Sequence, residues 1–150
     1  MIKQFLKFES KLKITPFEAS ILLGIKLNKY KRLKSGELEG KKLFNYSISA
    51  HMLIDRQQII SLIRTRKWII SKLEYPNLRG RYNGFTFLED MLQVGPTKAS
   101  KFIGLDYERY NEFKTRTVRL QFYHIYAFEA YKYLSDNKIN QLKTKRLKTC

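Results

Sequence analysis

The sequence is poor in cysteine and histidine and has no long apolar run. Its one cysteine, Cys150, excludes an intramolecular disulfide, and with only two histidines the chain cannot form a Cys/His metal cluster. No stretch approaches the ~20 apolar residues that span a bilayer. Lys3, Lys7 and Glu9 interrupt the N-terminus, where a secretory leader would be apolar. We therefore expect a soluble, cytoplasmic protein with no membrane partner.

Acidic residues are also scarce. The chain has 13 Asp and Glu against 30 Lys and Arg, which gives a net charge of +17. A charge this high favours a polyanionic partner, nucleic acid first and an anionic membrane surface second. The 43% of hydrophobic residues is enough to bury a core, which argues against a chain that is disordered throughout.

The sequence contains an internal repeat. Shifting the chain by 80 residues aligns it with itself without a gap, and the identical pairs fall on apolar, small, Gly and Pro residues. They are Phe5/Phe85, Glu9/Glu89, Leu12/Leu92, Pro16/Pro96, Ala19/Ala99, Ser20/Ser100, Gly24/Gly104, Tyr30/Tyr110, Lys34/Lys114, Tyr46/Tyr126 and Ala50/Ala130. We predict two duplicated units, 1–54 and 85–134, with a basic connecting segment, 55–84, and a basic tail, 135–150.

Each unit is predicted to contain a helix-turn-helix. In unit one, the run Thr15-Pro16-Phe17-Glu18 forms a capping box, Gly24 turns the chain, and a second helix covers 27–34. Unit two repeats this plan, with Pro96 at the start of a helix, Gly104 in the turn and Asp106 as the next N-cap. The expected fold class is mainly α, with a short β-hairpin around Trp68–Tyr75 in the connecting segment.

The helix-turn-helix stretches resemble a known family. TPFEASILLGIKLNKYKRLKSGE is similar to the phage-repressor (Cro-like, XRE) helix-turn-helix, and PTKASKFIGLDYERYNEFKT is similar to a second, diverged copy. Tyr30 and Tyr110 stand where the family usually has an aliphatic residue. The resemblance implies a transcriptional regulator of a phage or mobile element, which binds double-stranded DNA as a homodimer on a palindromic operator and associates with the nucleoid.

The two units differ in charge. Unit one has a net charge of +7 and unit two of +1, and the second helix of unit two carries three carboxylates that phosphates would repel. We therefore predict that unit one reads DNA: Asn28 pairs with adenine, Arg32 or Lys31 with guanine, and nearby lysines with phosphates. The full set of candidate DNA-binding residues is Thr15, Lys26, Asn28, Lys29, Lys31, Arg32, Lys34, Lys41, Lys42, Arg109, Asn111, Arg116 and Arg119.

Unit two has two alternative roles. It serves either as a dimerisation or partner surface, or as the second half of a pseudo-symmetric pair within one chain, with both units in successive grooves. Its aromatic-rich helix, from about Val118 to Leu134, is expected to pack in the core, with an exposed dimer interface as the alternative.

The sequence has no motif that indicates catalysis. His51 and His124 fall in predicted helices, and we find no nucleophile elbow, zinc spacing or phosphate-binding loop. We expect no enzyme activity, no cofactor, no metal and no small-molecule ligand, although dispersed carboxylates leave a nuclease open. Two other functions stay open: an interaction protein that keeps the fold but targets another protein, and RNA binding by the basic surface.

Overall fold

The computed structural model describes residues 2–73, 75–76, 82–115 and 117–148, and this part of the chain is mainly helical. Its helices are α1 Ile2–Leu12, α2 Pro16–Leu23, α3 Leu27–Lys34, α4 Lys42–His51, α5 Arg56–Lys72, α6 Gly84–Leu92, α7 Pro96–Ile103, α8 Tyr107–Lys114, α9 Phe122–Glu129 and α10 Asp136–Leu147, with a 3-10 helix at Ala130–Tyr133. The expected mainly α fold class is confirmed.

The predicted capping signals explain why α2 begins and ends where it does. The Thr15 hydroxyl accepts the Glu18 N–H at 3.1 Å, and the Glu18 carboxylate accepts the Thr15 N–H at 2.9 Å. Gly24 ends α2 in the left-handed conformation, at φ +78°, which allows the chain to turn into α3. Gly104 has the same role after α7, at φ +97°.

The repeat extends further than the sequence analysis placed it. The connecting segment and the tail each contain a long helix, α5 and α10, and the two helices are related by the same shift of 80 residues. Asp55 and Ser135 precede them at equivalent N-cap positions. Their buried residues are identical pairs: Ile59, Leu62 and Arg66 in α5, and Ile139, Leu142 and Arg146 in α10. Each unit is therefore a five-helix bundle.

The expected β-hairpin is not found in the described residues. Trp68, Ile69 and Ile70, which we predicted to be in a strand, lie inside α5, because the helix started at Arg56 continues to Lys72 with Ile59 and Leu62 on the core. The rest of the predicted hairpin includes residue 74, which lies outside the described part of the chain.

The two units pack against each other through reciprocal contacts. α4 of unit one packs on α9 of unit two, and the start of each of these helices lies against the helix-turn-helix glycine of the other unit. A Cβ on Gly24 would lie 2.8 Å from backbone atoms of Phe122 and Tyr123, and one on Gly104 would lie 2.8 Å from those of Lys42 and Leu43. Such exchange of equivalent contacts is typical of a two-fold interface. The chain is therefore an internal pseudo-dimer with one continuous core.

Two buried arginines strengthen this interface. Arg66 of α5 donates to the Leu22 carbonyl at 2.7 Å, at the C-terminal end of α2, and to His51 Nε2 at 2.7 Å. Its guanidinium also lies 4.3 Å from the centre of the Tyr126 ring, which belongs to unit two. Burial lowers the pKa of Arg66 to about 10, so it stays charged at neutral pH.

Arg146 of α10 makes the equivalent contacts with the roles of the two units exchanged. It donates to the Phe102 carbonyl at 3.0 Å, at the end of α7, and to the Tyr131 hydroxyl. It also donates to the Tyr46 carbonyl of unit one at 3.0 Å and stacks on the Tyr46 ring at 4.2 Å. A cation at the C-terminal end of a helix interacts favourably with the helix dipole. Each arginine thus caps one helix of its own unit and contacts a tyrosine of the other.

Candidate nucleic-acid interface

Helix α3 is held on unit one by a buried polar cluster. The Tyr30 hydroxyl donates to Glu9 of α1 at 2.5 Å, and the Lys34 ammonium donates to the same carboxylate at 3.0 Å. Tyr30 and Leu33 are buried and face the core. Lys34 was expected to contact phosphates, but in the structure its ammonium forms an ion pair with Glu9. This cluster fixes which side of α3 faces outward.

The outward side of α3 carries three residues expected to bind DNA. Asn28, Lys31 and Arg32 are exposed and lie on the helix face opposite Tyr30 and Leu33. An Asn and an Arg on one exposed helix face are the side chains that pair bidentately with adenine and guanine. The structure therefore brings together the three residues predicted to read bases.

One intramolecular contact competes for this face. Arg32 forms an ion pair with Glu37 at 3.4 Å, and the two side chains are 51% and 63% exposed. An ion pair this exposed contributes between zero and about 1 kcal/mol. A guanine or a phosphate can therefore replace Glu37 as the partner of Arg32 at little cost.

Helix α8 carries carboxylates at two of the three equivalent positions. Its outward face presents Glu108, Asn111 and Glu112, while Tyr110 and Phe113 face the core. Arg109 forms an ion pair with Glu112 at 3.6 Å and stacks on the Phe113 ring. The basic group expected at this helix is thus partly neutralised within it. Asn111 is exposed as expected, but it lies between two carboxylates.

Lys29 lies at the junction of the two units. Its ammonium sits 5.3 Å from the centre of the Phe44 ring and 4.7 Å from that of Tyr123 in unit two. Burial, and then the nearby charge of Lys41, lower the pKa of Lys29. The contact with both units gives Lys29 a structural role that the sequence did not indicate.

The other described candidate residues lie outside the outward face of α3. Thr15 uses its hydroxyl in the capping box, and Lys26 is exposed at the N-cap of α3. Lys41 and Lys42 are exposed at the start of α4 and line a cavity of about 620 Å³ between the units. Arg119 stacks on the Tyr75 ring at 4.9 Å. Arg116 lies outside the described residues.

The two outward helices are close together. Lys29 of α3 lies 4.7 Å from the Tyr123 ring, that ring 4.1 Å from His124, and His124 4.2 Å from the Phe113 ring of α8. The alternative that both units lie in successive grooves of one duplex, about 34 Å apart, stays a prediction.

The histidines are packing residues in the described chain. His51 is fully buried, and burial followed by the charge of Arg66 lowers its pKa to about 3. Burial and three nearby cations, Arg109 first, likewise lower the pKa of His124 to about 3. His124 Nδ1 accepts the Gln121 N–H at 3.0 Å and so caps α9. Both rings are neutral at pH 7.

Two kinds of feature are absent from the described residues. No group of three or more His, Cys, Asp or Glu side chains is placed to hold a metal ion. No described helix combines the length and the apolar character needed to cross a bilayer.

Sequence reasoning missed the residues that orient the interface. Glu9 and Glu89 were noted as an identical pair, but their bonds to α3 and α8 were not predicted. Arg66 and Arg146 were missed because arginine is rarely buried. Extending the alignment to the pairs after 55/135 would have found them, since both positions carry Arg.

Comparison with known proteins identifies no relative. A scan against protein-family models finds no match, and searches of curated proteins and of solved structures find none either. The resemblance to the phage-repressor helix-turn-helix therefore stays a prediction that depends on the residues quoted for it.

Proposed function

We propose that the protein is a sequence-specific DNA-binding transcriptional regulator that reads duplex DNA with the outward face of α3. The observation that carries this proposal is the exposure of Asn28, Lys31 and Arg32 on the face opposite the core. A helix docked in the major groove presents its exposed face to base edges. In this docking Asn28 pairs with adenine and Arg32 with guanine.

Lysines around α3 supply contacts with the DNA backbone. Lys26, Lys41 and Lys42 are exposed near the start of α3 and of α4, where a duplex docked on α3 brings its phosphates. Contacts of this kind set the affinity and its salt dependence and carry no sequence information. We therefore assign base reading to the α3 face and backbone binding to these lysines.

Unit two supports the reading unit in this proposal. Glu108 and Glu112 on α8 take the places of Asn28 and Arg32, and their charge disfavours a phosphate-lined groove. Helix α3 packs on α2, and its Lys29 lies over the Phe44 ring of α4 and the Tyr123 ring of α9, which holds α3 in position as a base-reading helix requires.

The repeat supplies a matched pair of variants for the test. We expect Asn28→Ala/Arg32→Ala to lose sequence preference, because it removes the two side chains that pair with bases. Each lost bidentate pair weakens discrimination by about 1–3 kcal/mol. Glu108→Ala/Glu112→Ala changes the equivalent positions of unit two and should keep the preference. The measurement is selection from a random duplex library, followed by gel shift with random-sequence competitor.

Two results would contradict the proposal. The first is a wild-type protein that any competitor sequence displaces equally. The second is an Asn28/Arg32 variant that selects the same sites as the wild type. Circular dichroism of both variants checks that neither effect comes from unfolding.

A second candidate function is binding to another protein through α8. The observation that favours it is an exposed Tyr107, 48% accessible, beside the carboxylates of Glu108 and Glu112. Tyrosine is enriched at protein interfaces. Under this alternative the α8 variant loses its partner, whereas the α3 variant keeps it.

The predicted homodimer and the RNA alternative stay predictions. The faces of α4 and α9 that pair are buried within the chain, so a second copy would have to bind elsewhere. Sedimentation at several concentrations, with and without the selected duplex, measures the oligomeric state. Competition between that duplex and structured RNA separates the two nucleic acids.

A further inference from the structure

A second basic surface lies on α1 and α10, away from the helix-turn-helix. It is a groove of about 480 Å³, bordered also by the end of α4. Four exposed lysines line it: Lys3, Lys7, Lys11 and Lys145. Among the described residues, none that lines the groove is acidic, and none of the four ammonium groups meets a carboxylate. We call this surface the α1–α10 groove.

The groove and α3 lie on different sides of α1. Lys3, Lys7 and Lys11 are four residues apart and share one side of the helix. Glu9, which binds Tyr30 of α3, projects about 160° away from Lys7 and Lys11 at 100° per residue. A molecule bound in the α1–α10 groove therefore leaves the outward face of α3 free.

The repeat shows that the fold does not require these charges. The equivalent place on the other side of the molecule, between α6 of unit two and α5 of unit one, has the same helices, but none of the four positions carries a cation there. The equivalent residues are Asn83, Phe87 and Met91 and, for Lys145, Thr65. Four like charges in one groove repel each other and disfavour the folded chain unless an anion binds.

The spacing of the lysines suits a nucleic-acid backbone. Four helical residues rise ~6 Å, so the three lysines of α1 extend over about 12 Å. One DNA strand presents a phosphate every ~3.4 Å along its axis, so a duplex offers several phosphates over that length. A membrane fits less well, because an interfacial helix needs a broad apolar face, whereas the only large apolar side chain exposed on the described part of α1 is Leu6.

We propose that the α1–α10 groove binds the backbone of a second duplex segment, so that one chain bridges two stretches of DNA. The contact between the groove and DNA is inferred from the shape and the charge of the groove alone. The bridging of two duplexes also rests on the proposed function of α3. The contact is made to phosphates and does not depend on the DNA sequence.

A capture assay tests the bridge. A 30-base-pair random-sequence duplex is immobilised, saturated with the full chain and washed, and a fluorescent second duplex is added at near-physiological salt. The test variant is Lys3→Gln/Lys7→Gln/Lys11→Gln. The control, Arg64→Gln/Lys72→Gln/Lys132→Gln, removes three charges at exposed positions that do not line the groove.

We expect the groove variant to capture at least tenfold less second duplex, while the control variant captures nearly as much as the wild type. The salt slope for second-duplex capture should fall by between 2 and 3 in the groove variant, since each lost phosphate contact lowers the slope by about 0.9. Sedimentation of the chain with both duplexes free in solution shows whether one chain or two chains hold the two duplexes.

Other outcomes overturn the inference or separate it from the proposed function. Undiminished capture by the groove variant, or equal loss in the control, overturns it. So does a groove variant that loses binding to anionic phosphatidylserine vesicles, or to an acidic polypeptide such as polyglutamate, but not to duplex. If Asn28→Ala/Arg32→Ala keeps wild-type site selection while the groove variant loses capture, the proposed function fails and the groove contact stands.

Discussion

At the scale of residues, one carboxylate positions each outward helix. Glu9 accepts hydrogen bonds from Tyr30 and Lys34, and Glu89 accepts them from Tyr110 and Lys114. Burial, and then the hydrogen bond to the carboxylate, raise the pKa of both tyrosines. The phenols therefore stay protonated and keep donating at any physiological pH.

The repeated cluster predicts equal effects in the two units. Tyr30→Phe and Tyr110→Phe each remove one hydrogen bond to a charged acceptor, which costs about 1.5–3 kcal/mol. Urea unfolding of the two single variants should give losses of free energy that both fall in this range. A loss in only one unit would show that the two clusters are not energetically equivalent.

The two buried histidines predict acid sensitivity. Their pKa values of about 3 lie below the ~6.5 of an unfolded histidine. The unfolded chain therefore binds more protons than the folded chain between pH 6.5 and 3. The stabilisation is complete above pH 6.5 and is lost as the pH falls toward 3, by about 1.4 kcal/mol per unit for each ring.

His124→Asn isolates one of the two rings. Asn keeps an acceptor for the Gln121 N–H but does not titrate. The free energy of unfolding, measured in urea from pH 6.5 to 4, should fall less steeply than in the wild type by about 1.4 kcal/mol per unit. Parallel slopes would mean that His124 is charged in the folded protein.

At the scale of elements, the turns of the two helix-turn-helix motifs hold the units together. Gly24 and Gly104 have positive φ angles, and each lies against the start of a helix in the other unit. Gly36 also has a positive φ, at +85°, but a Cβ there would meet nothing within 4 Å. A side chain at Gly36 would meet only backbone strain, whereas one at Gly24 or Gly104 would also meet the backbone of the other unit.

Alanine substitutions at the three glycines measure the cost of the strain and of the overlap with the other unit. Gly36→Ala carries only the cost of the left-handed conformation, about 1–2 kcal/mol. Gly24→Ala and Gly104→Ala add an overlap with backbone of the opposite unit, and we expect each to cost at least 1–3 kcal/mol more. Thermal unfolding at equal concentration compares the three variants, and equal midpoints would show that the turns do not restrain the interface.

The helices were predictable where local signals and the repeat agreed. The capping box at Thr15 and the turns at Gly24 and Gly104 identified α2, α3, α7 and α8 because they depend on neighbouring residues alone. Trp68-Ile69-Ile70 suggested a strand because β-branched and aromatic residues favour sheets, yet α5 continues through them. Tertiary packing overrode that preference.

The candidate interface was predictable only in part, for a similar reason. Asn28 and Arg32 were predicted to face DNA from the basic charge of their helix and from the side-chain types that pair with bases, and both are exposed. The partners of Lys29 and Lys34 come from unit two and from α1, and spacing along one helix does not reveal a neighbour distant in sequence.

At the scale of the whole molecule, the two units share one core and should unfold together. Buried residues of both form a single cluster, and Arg66 and Arg146 each contact the opposite unit. Calorimetry should show one transition, with a van't Hoff enthalpy of about 100 kcal/mol near 60 °C for 150 residues at ~0.7 kcal/mol each. About half that value would mean that each unit melts alone.

Joining two copies in one polypeptide also changes how the protein can evolve. In an assembly of identical subunits, every substitution appears twice and alters both halves together. Here position 28 carries Asn while the equivalent position 108 carries Glu, because the two positions can be substituted independently in one chain. The shared scaffold is preserved by the paired glycines and arginines, while each outer helix is free to be selected for a separate task.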